Sequence, residues 1–317
     1  MLKERTMLPH GDHTPPGYVL PLPAPGERLK RPLRRLLYPV WTALVSPRLA
    51  ARYATPEFQP DLWLWGHRGS DFERHRRRVD RYRSLADCDM LVAGCGTGRD
   101  IESWLGAGPR QVVGLDWFRY DSAWALWQEH FRRIAPEVKV SFGQADLTNL
   151  EDLPAESFDV VGSDAVFEHL RDLPAVLKQC HRILRCGGLI YATFGPLWYT
   201  WGGDHVSGYD ALEAGFNHLL LDDRAWHAYL DRMGPATHSE HDGRTWVEHD
   251  LFSRLRPSEY LDCLTRAGFE RLFVAAIIDP RAVRCLGKRP DLASILLARY
   301  CRLDLIVSAM TIIYRRA

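Results

Sequence analysis

Met90-Leu91-Val92-Ala93-Gly94-Cys95-Gly96-Thr97-Gly98-Arg99-Asp100 is the stretch from which the fold is read. Four apolar residues make a short buried strand, three alternate glycines follow, and a helix is expected after them. Glycines so spaced let backbone N–H groups and a helix start approach a ligand with no Cβ in the way. The next apolar run, Gln111-Val-Val-Gly-Leu-Asp116, ends on a carboxylate 22 residues after Gly94. In a doubly wound sheet an acid there can accept hydrogen bonds from both hydroxyls of an adenosine ribose. A dinucleotide fold would need its third glycine one residue later, where this chain has Arg99, and that argues against NAD.

Working outward, strands are expected at 90–93, 111–115, 138–142, 158–162, 189–194, 269–278 and 305–314. Helical spacing fills the gaps between the first five, most clearly in Leu173, Val176, Leu177, Cys180, Ile183 and Leu184. This alternation predicts an α/β protein with a doubly wound, seven-stranded, mostly parallel sheet and an antiparallel last strand. Residues 86–317 are expected to form that domain, with an insertion at 197–256 after the fifth strand long enough to fold over the strand ends as a lid. Residues 1–85 read as a proline-rich arm, irregular because proline removes backbone donors, followed by a basic helical extension. A short helix is expected near 292–301.

Several motifs in order resemble the class I S-adenosylmethionine-dependent methyltransferases over roughly residues 86–195. Gly94-Cys95-Gly96-Thr97-Gly98 is similar to the family's first motif, and Asp116, followed by Trp117, to its ribose-binding acid. Gln144-Ala145-Asp146-Leu147 resembles the segment whose Asp contacts the adenine amino group. Phe158-Asp-Val-Val-Gly-Ser163-Asp164-Ala-Val-Phe-Glu168-His169-Leu170 resembles the fourth-strand motif, and Leu184-Arg-Cys-Gly-Gly-Leu189 the start of the fifth strand. The resemblance implies a Rossmann-like fold, S-adenosyl-L-methionine as cofactor with S-adenosyl-L-homocysteine as product, and cofactor contacts from Gly94 to Gly98, Asp116, Trp117, Asp146, Leu147, Ser163 and Asp164. One departure stands out: the family usually has an acid two positions before the first glycine, and this chain has Val92, with Asp100 and Asp164 as candidate substitutes.

The same resemblance implies in-line methyl displacement by an oxygen, nitrogen or carbon nucleophile, for which a protein mainly positions the reactants and, for a hydroxyl, removes a proton. His169 is a candidate base, since similar small-molecule O-methyltransferases often carry Glu-His there; a locally packed histidine is the alternative. In the lid, Trp198, Tyr199 and Trp201 offer flat faces to a sugar or ring, or else form the lid's own core, and Asp204 and His205 are candidate catalytic neighbours. His238, His241, Asp242, Glu248, His249 and Asp250 match no ordered zinc spacing, so no metal is expected.

The 317 residues carry 41 basic and 40 acidic side chains, a net charge of +1, and no strong field toward nucleic acid. No Asn/Asp-Pro-Pro-Tyr/Phe signature follows the fourth strand either, which leaves a nucleic-acid methyltransferase as a rival reading and a non-catalytic scaffold as another. Seven cysteines without a CxxC pair read as free thiols, and with neither a signal peptide nor a long apolar run the chain is expected in the cytoplasm. A preponderance of arginine over lysine suits a GC-rich bacterial source. The positive charge concentrates at the front. Over residues 28–53 leucines and Trp41 alternate with arginines, which fits either a helix capping the core or one making peripheral contact with a membrane. The overall expectation is an enzyme that methylates a hydroxyl oxygen of a small-molecule, sugar-containing or glycan-precursor acceptor.

Overall fold

A computed structural model describes residues 11–21, 27–66, 72–233 and 243–317. A helix α1 (Glu27–Tyr53) leads to a four-residue strand β1 (Leu62–Trp65) and helix α2 (Phe72–Tyr82). Then come β2 (Asp89–Ala93), α3 (Glu102–Leu105), β3 (Gln111–Asp116), α4 (Asp121–Ile134), β4 (Lys139–Gln144), β5 (Phe158–Asp164), α5 (Leu173–Ile183) and β6 (Leu184–Phe194). The lid holds α6 (Asn217–Leu220), α7 (Asp223–Met233) and α8 (Gly243–Glu248). After it follow α9 (Pro257–Arg266), β7 (Phe269–Ile278), α10 (Pro280–Lys288), α11 (Pro290–Leu297), α12 (Arg302–Ile306) and β8 (Val307–Arg316).

The strands form one sheet of eight in the order β1-β7-β8-β6-β5-β2-β3-β4, parallel except at β8, which runs antiparallel to both β6 and β7. The expected doubly wound sheet is there with one strand more than the seven predicted. The extra strand is β1, drawn from the front extension and paired in parallel with β7. Its Leu-Trp-Leu-Trp run is too short to stand out by periodicity.

Each face of the sheet buries its own apolar cluster. On one face α4 contributes Ala123, Trp124, Trp127 and Phe131, an amphipathic stripe along a helix of 14 residues. On the other, α5 buries Leu173, Val176, Leu177, Cys180 and Ile183. Its start is fixed by Asp172, whose carboxylate accepts from the Ala175 amide at 3.0 Å, with a proline in the first turn. Each fully buried side chain of this size is worth roughly 2–3 kcal/mol.

The proline-rich arm is irregular, as expected, but it has a definite seat. Asp12 accepts from the backbone and hydroxyl of Ser122, and the Thr14 hydroxyl accepts from the Ala123 amide, so the arm caps α4. Helix α1 caps the core only in part. Leu49 and Tyr53 are buried and the Ser46 hydroxyl accepts from the Trp63 amide, yet Leu33, Leu36, Leu37, Val40 and Leu44 all face outward.

Candidate active site

The bend after β2 is built on left-handed glycines: Gly94, Gly96 and Gly98 have φ of 74°, 52° and 99°. A Cβ at Gly94 would lie 2.2 Å from a Val166 methyl carbon, and one at Gly98 2.7 Å from the Phe142 ring, so neither position has room for a side chain. Asp116 lies directly beneath this bend. One of its carboxylate oxygens accepts from the Gly96 amide at 2.8 Å and the other from the Phe118 amide at 2.9 Å. The side chain stays half-exposed. The carboxylate thus shapes the bend while part of the residue stays open to solvent.

Around this bend, Cys95 is buried and Thr97 is buried with its hydroxyl 3.4 Å from that of Tyr18, which in turn accepts from the Trp127 indole at 2.5 Å. The arm therefore reaches the glycine bend, a contact the sequence did not reveal. At the end of β4, the Gln144 amide donates to the Trp117 carbonyl at 2.9 Å. Asp146 is exposed and closes a turn on Thr148, while Leu147 is buried. Ser163 is buried and donates to the Ala93 carbonyl at 2.9 Å, tying β5 to the entry of the bend.

Val92 is 2% exposed and packs among apolar neighbours. The buried acid on that face of the sheet is Asp164, two residues beyond the Val92 partner Gly162 on β5. Its carboxylate receives Arg76 of α2 through two hydrogen bonds, the shorter at 2.5 Å, and the Tyr191 hydroxyl at 2.9 Å. Arg76 also donates to the Ser103 hydroxyl at 3.0 Å and stacks on Trp104. Burial works against the guanidinium charge, but Asp164 and Tyr191 outweigh it and hold the Arg76 pKa above its usual range. Asp100 pairs instead with its neighbour Arg99, partly in solvent.

At the end of β5, Ala165 takes a φ of 56°, unusual for a residue with a side chain, and remains exposed. Glu168 and His169 follow. Burial raises the Glu168 carboxyl to about 7; one of its oxygens accepts from the Gly195 amide at 2.8 Å and the other has no partner among the described residues. His169 Nδ1 lies 2.8 Å from the Leu251 carbonyl. A carbonyl can only accept, so Nδ1 carries the hydrogen and Nε2 bears the lone pair. Burial lowers this ring to about 4, so it is neutral at physiological pH.

The structure brings His205 to His169, with ring centroids 4.8 Å apart. His205 has a φ of 64°, its Nε2 is buried with no hydrogen-bond partner among the described residues, and burial keeps its pKa well below the usual value. A strained backbone beneath an unsatisfied imidazole is a feature that folding alone does not favour. Asp204, its neighbour, is committed elsewhere: it accepts from the Val206 and Ser207 amides, the Ser207 hydroxyl and the Trp226 indole. That set of bonds makes it an anchor of the lid.

The lid aromatics divide in the same way. Trp198 packs against Trp226, His218 and Phe252, and Trp201 donates to the Leu212 carbonyl in a buried setting. Both belong to the lid's own core, the second of the two roles that the sequence left open to them. The residue that sequence reading missed is Trp246 on α8. Its ring stacks on His169 at 4.2 Å and lies edge-on to Phe118 at 6.2 Å, spanning the gap between the fourth-strand histidine and the Asp116 bend. His249 packs edge-on to Trp117 at 6.0 Å. His238, His241 and Asp242 lie outside the described residues.

Residues 91–192 match the model of a methyltransferase domain. A probable S-adenosylmethionine-dependent methyltransferase of Mycolicibacterium smegmatis is 36% identical over 132 residues, 39% of this chain and 48% of that protein. The ubiquinone biosynthesis O-methyltransferase of Pseudomonas syringae pv. tomato is 30% identical over 113 residues, 36% of this chain and 47% of its own. The matches thus cover about half the length of these curated relatives. Among solved structures, an S-adenosylmethionine dependent methyltransferase from Mesorhizobium loti is similar at 21% identity and a TM-score of 0.49, covering 78% of this chain and 99% of that one.

Proposed function

We propose, on the premise that this chain carries a class I S-adenosylmethionine-dependent methyltransferase domain, that it methylates a hydroxyl oxygen of a small molecule or glycan precursor. The residues present fit the cofactor. Asp116 lies half-exposed against the glycine bend, and the exposed Ala165 ends β5 beside it. Gly94, Cys95, Gly96, Thr97 and Gly98 would frame the methionyl and adenosyl parts, Asp116 with Trp117 the ribose, and Asp146 with Leu147 the adenine. Ser163 and Asp164 lie at the end of β5 beside the bend, but the Asp164 carboxylate is held by Arg76 and Tyr191, so it braces the strand end and does not replace the acid absent at Val92. When bound, S-adenosylmethionine supplies a methyl group on a sulfonium that leaves as a neutral thioether.

The observation that carries the oxygen assignment is the fixed tautomer of His169. With Nδ1–H held by the Leu251 carbonyl, Nε2 is set to take the proton of an acceptor hydroxyl, and a neutral ring at pH 7 is ready to do so. His205 beside it can orient that hydroxyl through its unsatisfied nitrogen. Trp246 closes the site against water. The name of the Pseudomonas relative, an O-methyltransferase, is consistent with this choice.

The test is release of S-adenosylhomocysteine by the full chain over a panel of phenolic and sugar hydroxyl acceptors, with the product located by mass spectrometry. The expected product is a methyl ether, and His169→Gln lowers kcat by about 100-fold or more while the cofactor Kd stays within about twofold. Methylation confined to amines, or full turnover by His169→Gln, contradicts the assignment.

A further inference from the structure

Helix α1 presents two opposed faces. Val45, Leu49 and Tyr53 turn toward the fold, while Leu33, Leu36, Leu37, Val40, Trp41 and Leu44 recur at i, i+3, i+4, i+7, i+8 and i+11 along the other side. The five aliphatic residues of that stripe are 54–72% exposed and Trp41 is 39% exposed. The aliphatic members of this stripe, three turns of a helix docked by its opposite face, are left largely exposed among the described residues.

Charge indicates what covers it. Residues 27–48 hold Arg28, Lys30, Arg31, Arg34, Arg35 and Arg48 against a single acid, Glu27. A second copy of the chain would set two such segments against each other, and their repulsion opposes pairing through this stripe. An anionic lipid surface complements both features, taking up leucine, valine and tryptophan at the acyl boundary while lipid phosphates neutralise the arginines.

Placement adds a third argument. Arg76 of α2 reaches Asp164 at the C-terminal end of β5, so the first turns of α2 lie at the strand ends that carry the glycine bend. Arg74, two residues earlier, lies over the ring of Tyr38, within the span of the stripe. The exposed leucines therefore flank the end of the sheet that holds the candidate site. No helix among the described residues is long and apolar enough to cross a membrane, so contact through α1 is peripheral.

We infer that α1 is a docking surface for anionic lipid, laying its Leu33–Leu44 stripe into the headgroup region of a membrane. The inference does not depend on which acceptor is methylated. Cosedimentation of the full chain with vesicles of equal phosphatidylglycerol and phosphatidylcholine, against pure phosphatidylcholine, tests it. At 0.1 M NaCl the anionic vesicles are expected to bind the protein about tenfold more tightly, and 0.5 M NaCl to weaken that preference. Leu36→Glu with Val40→Glu, both at exposed positions, should remove the binding while leaving the melting temperature and the affinity for S-adenosylhomocysteine unchanged. Equal binding to both vesicles, or full binding by the double variant, overturns the inference. So does light scattering that shows a wild-type dimer converted to monomer by the same substitutions, since a second copy would then cover the stripe.

Discussion

Asp116 and Asp204 are both carboxylates whose oxygens accept backbone amides, yet they belong to regions with opposite purposes. Asp116 holds the Gly96 and Phe118 amides and remains half-exposed beneath a bend that a side chain could not occupy. Asp204 takes four donors from within the lid and is fully enclosed. The carboxylate under the glycine bend keeps exposed surface, whereas Asp204 of the lid turns wholly inward to hold the lid together. An aspartate that accepts backbone amides is thus enclosed as a brace in one region and left half-exposed in the other, where the proposed function makes it a ligand contact.

The largest effect that sharpens this contrast is expected from Asp204→Ala, which strands two amides, a hydroxyl and an indole in a buried setting. Stability should fall by about 4 kcal/mol, read as a drop in melting temperature, while the folded fraction keeps its affinity for S-adenosylhomocysteine. Loss of that affinity without loss of stability would place Asp204 with the ligand after all.

Acid comes next. The folded state lowers His169 from 6.5 to about 4, so between those values the unfolded chain binds more protons and stability drains away as pH falls, by about 3 kcal/mol in full. Glu168, raised from 4.5 to about 7, acts in the opposite sense and gains stability as pH falls through that window. The two nearly offset, and substitution separates them. From pH 7 to 4.5 the melting temperature of Glu168→Gln should fall more steeply than wild type, and that of His169→Phe less steeply. Parallel curves for all three proteins would contradict these assignments.

The sheet was legible because its determinants are local. Apolar runs at 90–93 and 269–278, the alternate glycines and the acid closing the next strand all act over a few residues, and each lies where expected. The lid was not, because its aromatics are decided by long-range packing: Trp198 finds Trp226 and Phe252, and nothing in their spacing says so. Trp246 was missed for the same reason, its partners His169 and Phe118 coming from distant parts of the chain. In α1, amphipathic spacing revealed an apolar stripe but not which way it faces, since a second apolar face built on Leu49 and Tyr53 does the docking. The Arg76–Asp164 pair lay hidden in the basic helical extension, where nothing in the spacing sets one arginine apart from its neighbours.

The glycine bend and Asp116 together are the heart of the account, and calorimetric titration of the full chain with S-adenosylmethionine reaches them directly. The wild type should bind one equivalent, and Asp116→Ala should bind about 10–100-fold more weakly, the worth of about 1.5–3 kcal/mol in hydrogen bonds to a charged group. An absence of heat with the wild type, or an unchanged Kd in the folded variant, would contradict it.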